Sequence, residues 1–234
     1  MSKNATARLA GFIYLLVVLT GIYNLLYVPA QLIDFNDASA TFENISNNES
    51  LFRAGIVAGI LSYIFYLILP FVLYKLFRDI QRDVAVMMVI LSAVSVPISI
   101  FNMVNKIDVL TLLGNATYLN HLDMQTIQTK IMLSLKSYNN GISVVQIFWG
   151  LWLFPFGYLA YKSNNIPKVI GVCLMLGCFG YLVIFFCRML FPELILPSYV
   201  SKPASIGEIG ICLWLIIMGA NPMKQNSSTG PRST

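Results

Sequence analysis

Residues 141–161, GISVVQIFWGLWLFPFGYLAY, run for 21 positions without a charged side chain. At about 1.5 Å of rise per residue a helix of that length covers about 31 Å, the thickness of the hydrocarbon in a bilayer. A run of this kind leaves few folds open, because backbone N–H and C=O groups in hydrocarbon must be paired within the segment itself, and a single helix is the way to do it. Residues 162–168 then supply a polar turn. Asn164 and Asn165 carry turn chemistry, and Pro167, with no N–H to lose at a helix start, opens the next apolar run.

The rest of the chain repeats the pattern. Apolar residues make up 57% and charged residues 11% of 234, against about a quarter charged in soluble domains, and the mean hydropathy is +0.74. Six crossings are expected, at about residues 9–27, 51–77, 84–105, 141–161, 169–191 and 204–221. The expected fold is therefore all-α, one transmembrane helical bundle over residues 1–221, followed by a disordered cytoplasmic tail at 222–234 that is rich in Ser, Asn and Thr. Two long connections carry helical spacing of their own: Ala38, Phe42 and Ile45 in the first, and Met124, Ile127, Ile131 and Leu135 in the second. Short amphipathic helices in two outward loops are the expectation. The first apolar run follows Lys3 and Arg8 in the manner of a signal peptide, but an uncharged stretch over 9–33 is too long for one, so no cleavage is expected.

Orientation follows from basic residues on alternate sides. Nine Lys and Arg fall on the side of the N-terminus, the two tight turns and the tail, and six fall among eight acidic residues on the other side. This places both termini in the cytoplasm and the protein in the cell's inner (plasma) membrane. Basic residues stand singly between apolar runs, so no nucleic-acid surface is read. The four cysteines, Cys173, Cys178, Cys187 and Cys212, lie in apolar stretches without a CxxC pair and read as free thiols. With His121 the single histidine, no metal site, cofactor motif or catalytic set is read; Ser62, Ser92, Ser95, Ser99 and Ser143 have no histidine at crossing depth to act as base.

Polar residues inside the crossings are the candidates for chemistry, because hydrocarbon makes them costly. Asn24, Gln146 and Glu208 each stand 16 residues from a basic residue at the inner boundary, about 24 Å along a helix. Arg53, Asn102, Asn105, Asn140 and Arg188 lie farther out, at about 28–33 Å by the same count. The candidate ligand-binding layer is Arg53, Asn102, Asn105, Asn140, Gln146, Arg188 and Glu208, with Tyr23, Tyr63, Tyr66 and Tyr181 available as its floor. A plainer reading has the Asn and Gln residues as hydrogen-bond glue between helices and the arginines reaching out to lipid headgroups. Glu208 needs a cation or a proton, and Arg188 or Arg53 is its expected partner.

The ordered run Gln146-Ile147-Phe148-Trp149-Gly150-Leu151-Trp152-Leu153, Pro155, Gly157-Tyr158-Leu159, Ser163, Ile166-Pro167 and Gly171, with Gly180-Tyr181-Leu182 after it, resembles a bacterial family of multi-pass membrane proteins catalogued as a domain of unknown function. Leu51-Phe52-Arg53 before Gly55-Ile56, and Glu208 before Leu213-Trp214-Leu215, are similar to it too. The resemblance extends over about residues 8–219 and implies a fold class and a location, with no activity attached. Three functions follow as expectations: binding or transport of a small or amphiphilic ligand through an outward-facing polar pocket, a non-catalytic accessory role beside another membrane protein, or a membrane enzyme. Membrane lipid is the expected surrounding partner.

Overall fold

A computed structural model describes residues 2–114, 117–194 and 196–220, and every regular element among them is helical. Helix α1 (Lys3–Ile22) starts where Ser2 accepts the Ala5 N–H on its hydroxyl, and it continues through a π-helical turn, Tyr23–Tyr27, into α2 (Val28–Leu32). A separate helix, α3 (Ala38–Asn47), is capped by Asp37. The long α4 (Glu49–Phe77) continues through Pro70, and α5 (Arg82–Asn102) continues through Pro97 into α6 (Val104–Leu113).

Helix α7 (Met124–Leu151) begins at the cap Asp123, whose carboxylate accepts the Thr126 N–H at 2.6 Å. It breaks at Trp152 and resumes as α8 (Leu153–Lys162). Pro155 accounts for the break, since it has no N–H for the carbonyl four residues back and its ring crowds that turn. After the turn come α9 (Lys168–Leu190) and α10 (Lys202–Ile217).

Among the described residues five helical stretches are long and apolar enough to cross a membrane: Lys3–Leu32, Glu49–Phe77, Arg82–Leu113, Met124–Lys162 and Lys168–Leu190. Helix α10, with 16 residues, is shorter than these. The second amphipathic segment is not a separate loop helix. It is the first half of α7, continuous with the run at 141–161, because nothing between Lys136 and Gly141 interrupts the backbone pattern. The expected tail at 222–234 lies outside the described residues.

The helices pack as one bundle. Helix α1 lies along α4 and α10, α9 lies along α7, α8 and α10, and α5 bridges α4 and α7. At one end, called here the terminal end, small residues let backbones meet. A Cβ on Gly11 would come 2.7 Å from the Ile216 nitrogen, and Gly157 and Gly171 face each other's carbonyls with room for none. Asn4 accepts the Ala220 N–H, Trp214 donates to the Asn165 carbonyl at 2.8 Å, and Lys3 pairs with Asp79 at 3.0 Å. The start of α1, the turn after α4, the turn after α8 and the end of α10 therefore share this end.

Candidate functional site

Toward the other end the helices diverge around a cavity of about 700 Å³ between α1, α4, α7, α9 and α10. Its floor is aromatic. Trp152, 2% exposed, stacks on Phe156 and takes the edge of Tyr66 at 5.2 Å between ring centres, with Tyr14 6.2 Å away. Glu208 reaches this floor from α10. The Tyr181 hydroxyl stands 3.5 Å from its carboxylate, and Tyr14 and Tyr66 stand near it as well. Gly150 makes this arrangement possible, because a Cβ there would come within 2.7 Å of the Tyr181 Cβ.

The upper wall is built around Lys106, on α6, which is 1% exposed. Its ammonium donates to the Asn24 side-chain oxygen at 2.7 Å and to the Asn24 backbone carbonyl at 3.3 Å, and it lies 4.3 Å from the centre of the Tyr138 ring. Among the described residues no carboxylate lies within ion-pair distance of it. The π-helical turn explains why the Asn24 carbonyl is free. Within it the Val28 N–H bonds to Tyr23 five residues back, so the next donor in that register would be residue 29, and Pro29 has none. The Asn24 amide in turn donates to the Tyr138 hydroxyl at 3.1 Å, and Gly59 on α4 makes room for it, since a Cβ there would sit 2.7 Å from the amide nitrogen.

Three hydroxyls on the cavity wall, those of Tyr14, Tyr63 and Tyr66, are buried beside Glu208, Tyr138 and Ser95 respectively, in contacts too long or bent for good hydrogen bonds. Their residues are 1%, 4% and 7% exposed. A poorly met buried hydroxyl is costly, so three on one wall make the cavity lining more polar than its aromatic rings alone would. The cavity also reaches the flank of the bundle. Ile22 at the end of α1, Leu26 in the π-helical turn and Ile209 on α10 all line it and are exposed, as is Ser205, so it has a mostly apolar opening between α1 and α10.

The structure gathers two of the seven predicted residues at this cavity, Gln146 and Glu208. Asn102 and Asn105 instead hold helices together: the Asn102 amide donates to the Tyr138 carbonyl at 2.9 Å and its side-chain oxygen accepts from Asn105 at 3.0 Å, with Gly141 packed against it. Asn140 is exposed and is not among the residues that line the cavity. The expected partner of Glu208 is corrected. Arg53 is exposed and pairs with Glu49 one turn away at 2.6 Å, while Arg188, also exposed, donates to Ser143 at 2.8 Å. No cation among the described residues pairs with Glu208; the Tyr181 hydroxyl stands in that place, with Tyr14 beside it.

Lys106 is the residue that depth counting from Asp83 misses, because the count assumes one straight helix and puts it past the end of the crossing. A signal was present: the apolar run resumes after it with Ile107, Val109, Leu110, Leu112 and Leu113, which marks a cation inside a helix rather than at its end. Of the four cysteines, all are free; Cys178 and Cys212 are buried in the helix contacts.

These features define a class: a membrane protein whose apolar helices enclose a polar-studded cavity. The family is shown by a match over residues 9–219 to the model of a domain of unknown function, DUF4386, and the chain belongs to that family. An uncharacterized protein of Archaeoglobus fulgidus is 32% identical over 76 residues, 31% of this chain. The match covers 43% of that relative's length. No solved structure matches.

Proposed function

We propose that the protein is a six-crossing bundle of the plasma membrane, with both termini cytoplasmic, that binds or transports a small or amphiphilic ligand in the cavity between its helices. The sixth crossing is α10. It runs back along α9 to the end where α1 begins, and its 16 residues give about 24 Å of helix, enough where the bilayer thins locally. The excess of basic residues on that end supports its cytoplasmic placement. The cavity then opens in the outer half of the membrane.

The observation that carries the ligand reading is the cavity itself, with Lys106 paired to no carboxylate among the described residues and tyrosine hydroxyls along its wall. Its volume lies within the 300–1,000 Å³ range of small-molecule sites. An accessory subunit calls for a filled layer at this depth, so the hollow supports binding instead. In this reading Glu208 and Gln146 line the site, while Arg53, Asn102, Asn105, Asn140 and Arg188 support the fold around it. Native mass spectrometry of the protein released from mild detergent tests the reading: a discrete small-molecule adduct, lost when Trp152 or Tyr63 is substituted, is the expected result. A bare protein mass under every release condition, with a partner protein retained instead, would turn the assignment to an accessory role.

A further inference from the structure

The cavity reading deepens at its upper wall, where donors outnumber acceptors. The ammonium of Lys106 has three N–H bonds and spends two on Asn24. Both Asn24 oxygens are used in doing so. The Tyr138 hydroxyl accepts from the Asn24 amide and lies beside the Tyr63 hydroxyl; with Tyr63 donating to it, its own O–H is left to donate. Two donors and one positive charge therefore converge on the cavity without an acceptor assigned to them.

Glu208 does not fill that need. It sits at the floor beside Tyr14, and Tyr14 precedes Asn24 by ten residues on α1, about 15 Å along the axis. A cation held in so dry a place is costly without an anion, and a ligand that brings one offsets the cost. One way out from this wall is the flank lined by the exposed Ile22, Leu26 and Ile209; Phe35, Asn139 and Ser205 are exposed elsewhere on the lining.

We infer that the cavity takes a single-chain anionic amphiphile, its acidic head on Lys106 and Tyr138 and its alkyl chain leaving between α1 and α10 toward the lipid. The inference rests on the proposed ligand site and narrows it to one chemistry. A carboxylate and a phosphate monoester share that chemistry, and the donors suit either.

Two of the three tryptophans, Trp149 and Trp152, line the cavity, whereas Trp214 is tied to Asn165 at the terminal end. Tryptophan emission therefore reports occupancy. The purified full chain in a neutral maltoside is titrated with 9,10-dibromostearate and with its methyl ester. The expected result is saturable quenching, relieved by unbrominated competitor, with the carboxylate at least about tenfold tighter than the ester, the scale of one charge-assisted hydrogen bond. Stearate and octadecyl phosphate as competitors rank the two acids. In Lys106→Met the preference should fall to within about twofold while the ester still binds, and Lys106→Arg should retain it. Saturable quenching without preference in the wild type overturns the anionic head and leaves the ligand site standing. Quenching that never saturates, with either probe, overturns the site and the inference together; the wild-type comparison decides both even if a variant fails to fold.

Discussion

The two ends of this bundle are made from the same residue types and arrive at opposite interiors. At the terminal end α1 meets α10 backbone to backbone at Gly11, α8 meets α9 at Gly157 and Gly171, and the cleft there measures about 60 Å³. Toward the other end α1 keeps its glycine, Gly21, but the nearest atom a Cβ there would meet is the Ser62 hydroxyl at 3.5 Å, and the space beyond holds about 700 Å³. In lipid, helices gain little from burying apolar surface against one another, so close packing of small residues is what clamps them. At the terminal end Gly11, Gly157 and Gly171 face backbones and the bundle is closed. Around the cavity Gly59 and Gly150 face the side chains of Asn24 and Tyr181 and polar contacts hold it open, while on its α9 side Gly177 and Gly180 still meet backbone at Ala204 and Val200. The clamp and the chamber are thus separable, and substitutions should affect one without the other.

The largest effect should come from Gly11→Ala and Gly157→Ala, whose new Cβ atoms would meet main-chain atoms that cannot move aside. Each should cost about 1–3 kcal/mol of stability, read as a lower melting temperature in detergent. Gly21→Ala on the same helix should be neutral or stabilising by up to about 1 kcal/mol, through the loss of glycine's flexibility. Equal losses at 11 and 21 would erase the distinction between the ends. Next is Gly59→Ala, which should displace Asn24 and cost about 1–2 kcal/mol while also abolishing the preference for the brominated carboxylate. A stability loss with the preference intact would show that Lys106 does not depend on Asn24.

Smaller in stability and sharper in function is Pro29→Ala. It restores an N–H that can take the Asn24 carbonyl, so the melting temperature should move by the equivalent of less than about 1 kcal/mol, while Lys106 loses one of its two anchors and carboxylate affinity falls. An unchanged affinity would detach the π-helical turn from the site. The smallest effect belongs to Lys3 and Asp79, both exposed. The Lys3 ammonium beside Asp79 holds its carboxyl below the usual carboxylate range. A depressed folded-state value means the pair's contribution is present above the unfolded carboxyl's pKa of about 3.9 and is lost as pH falls through the lower, folded one. The melting difference between the wild type and Asp79→Asn should therefore be slight at pH 6 and vanish at the most acid pH the fold survives, and in high salt.

Much of this architecture is legible in the residues themselves. The apolar runs mark the long helices, because no other backbone arrangement satisfies their amides in lipid, and the depth of Glu208 and Gln146 puts them at the cavity. What was not legible is pairing. Arg53 and Arg188 match the depth of Glu208, but depth along a helix leaves its rotation undetermined, and rotation turns Arg53 toward Glu49 on its own helix and Arg188 toward Ser143. Lys106 escaped for a related reason: α6 resumes after Met103 with its lysine on the α1 side, and no count along one helix reports that. Of the tyrosines placed at the pocket floor by depth, Tyr63, Tyr66 and Tyr181 do line the hollow, whereas Tyr14 and Tyr138, which line it too, carried no such signal.

The π-helical turn at Tyr23–Tyr27 has a consequence for how such a site comes and goes in evolution. A turn of this kind is an α-helix with one residue to spare, so deleting a single codon within it would restore an ordinary helix and leave both flanks in their old register. Val28 would still pack on Gly55, and Tyr14 would still meet Trp152. Only the inward bulge that offers Asn24 to Lys106 would vanish. A member of the family could thus lose or regain its cation's anchor by one in-frame indel while the surrounding bundle stays unaltered, and length variation at this turn is where kinds of ligand should part company.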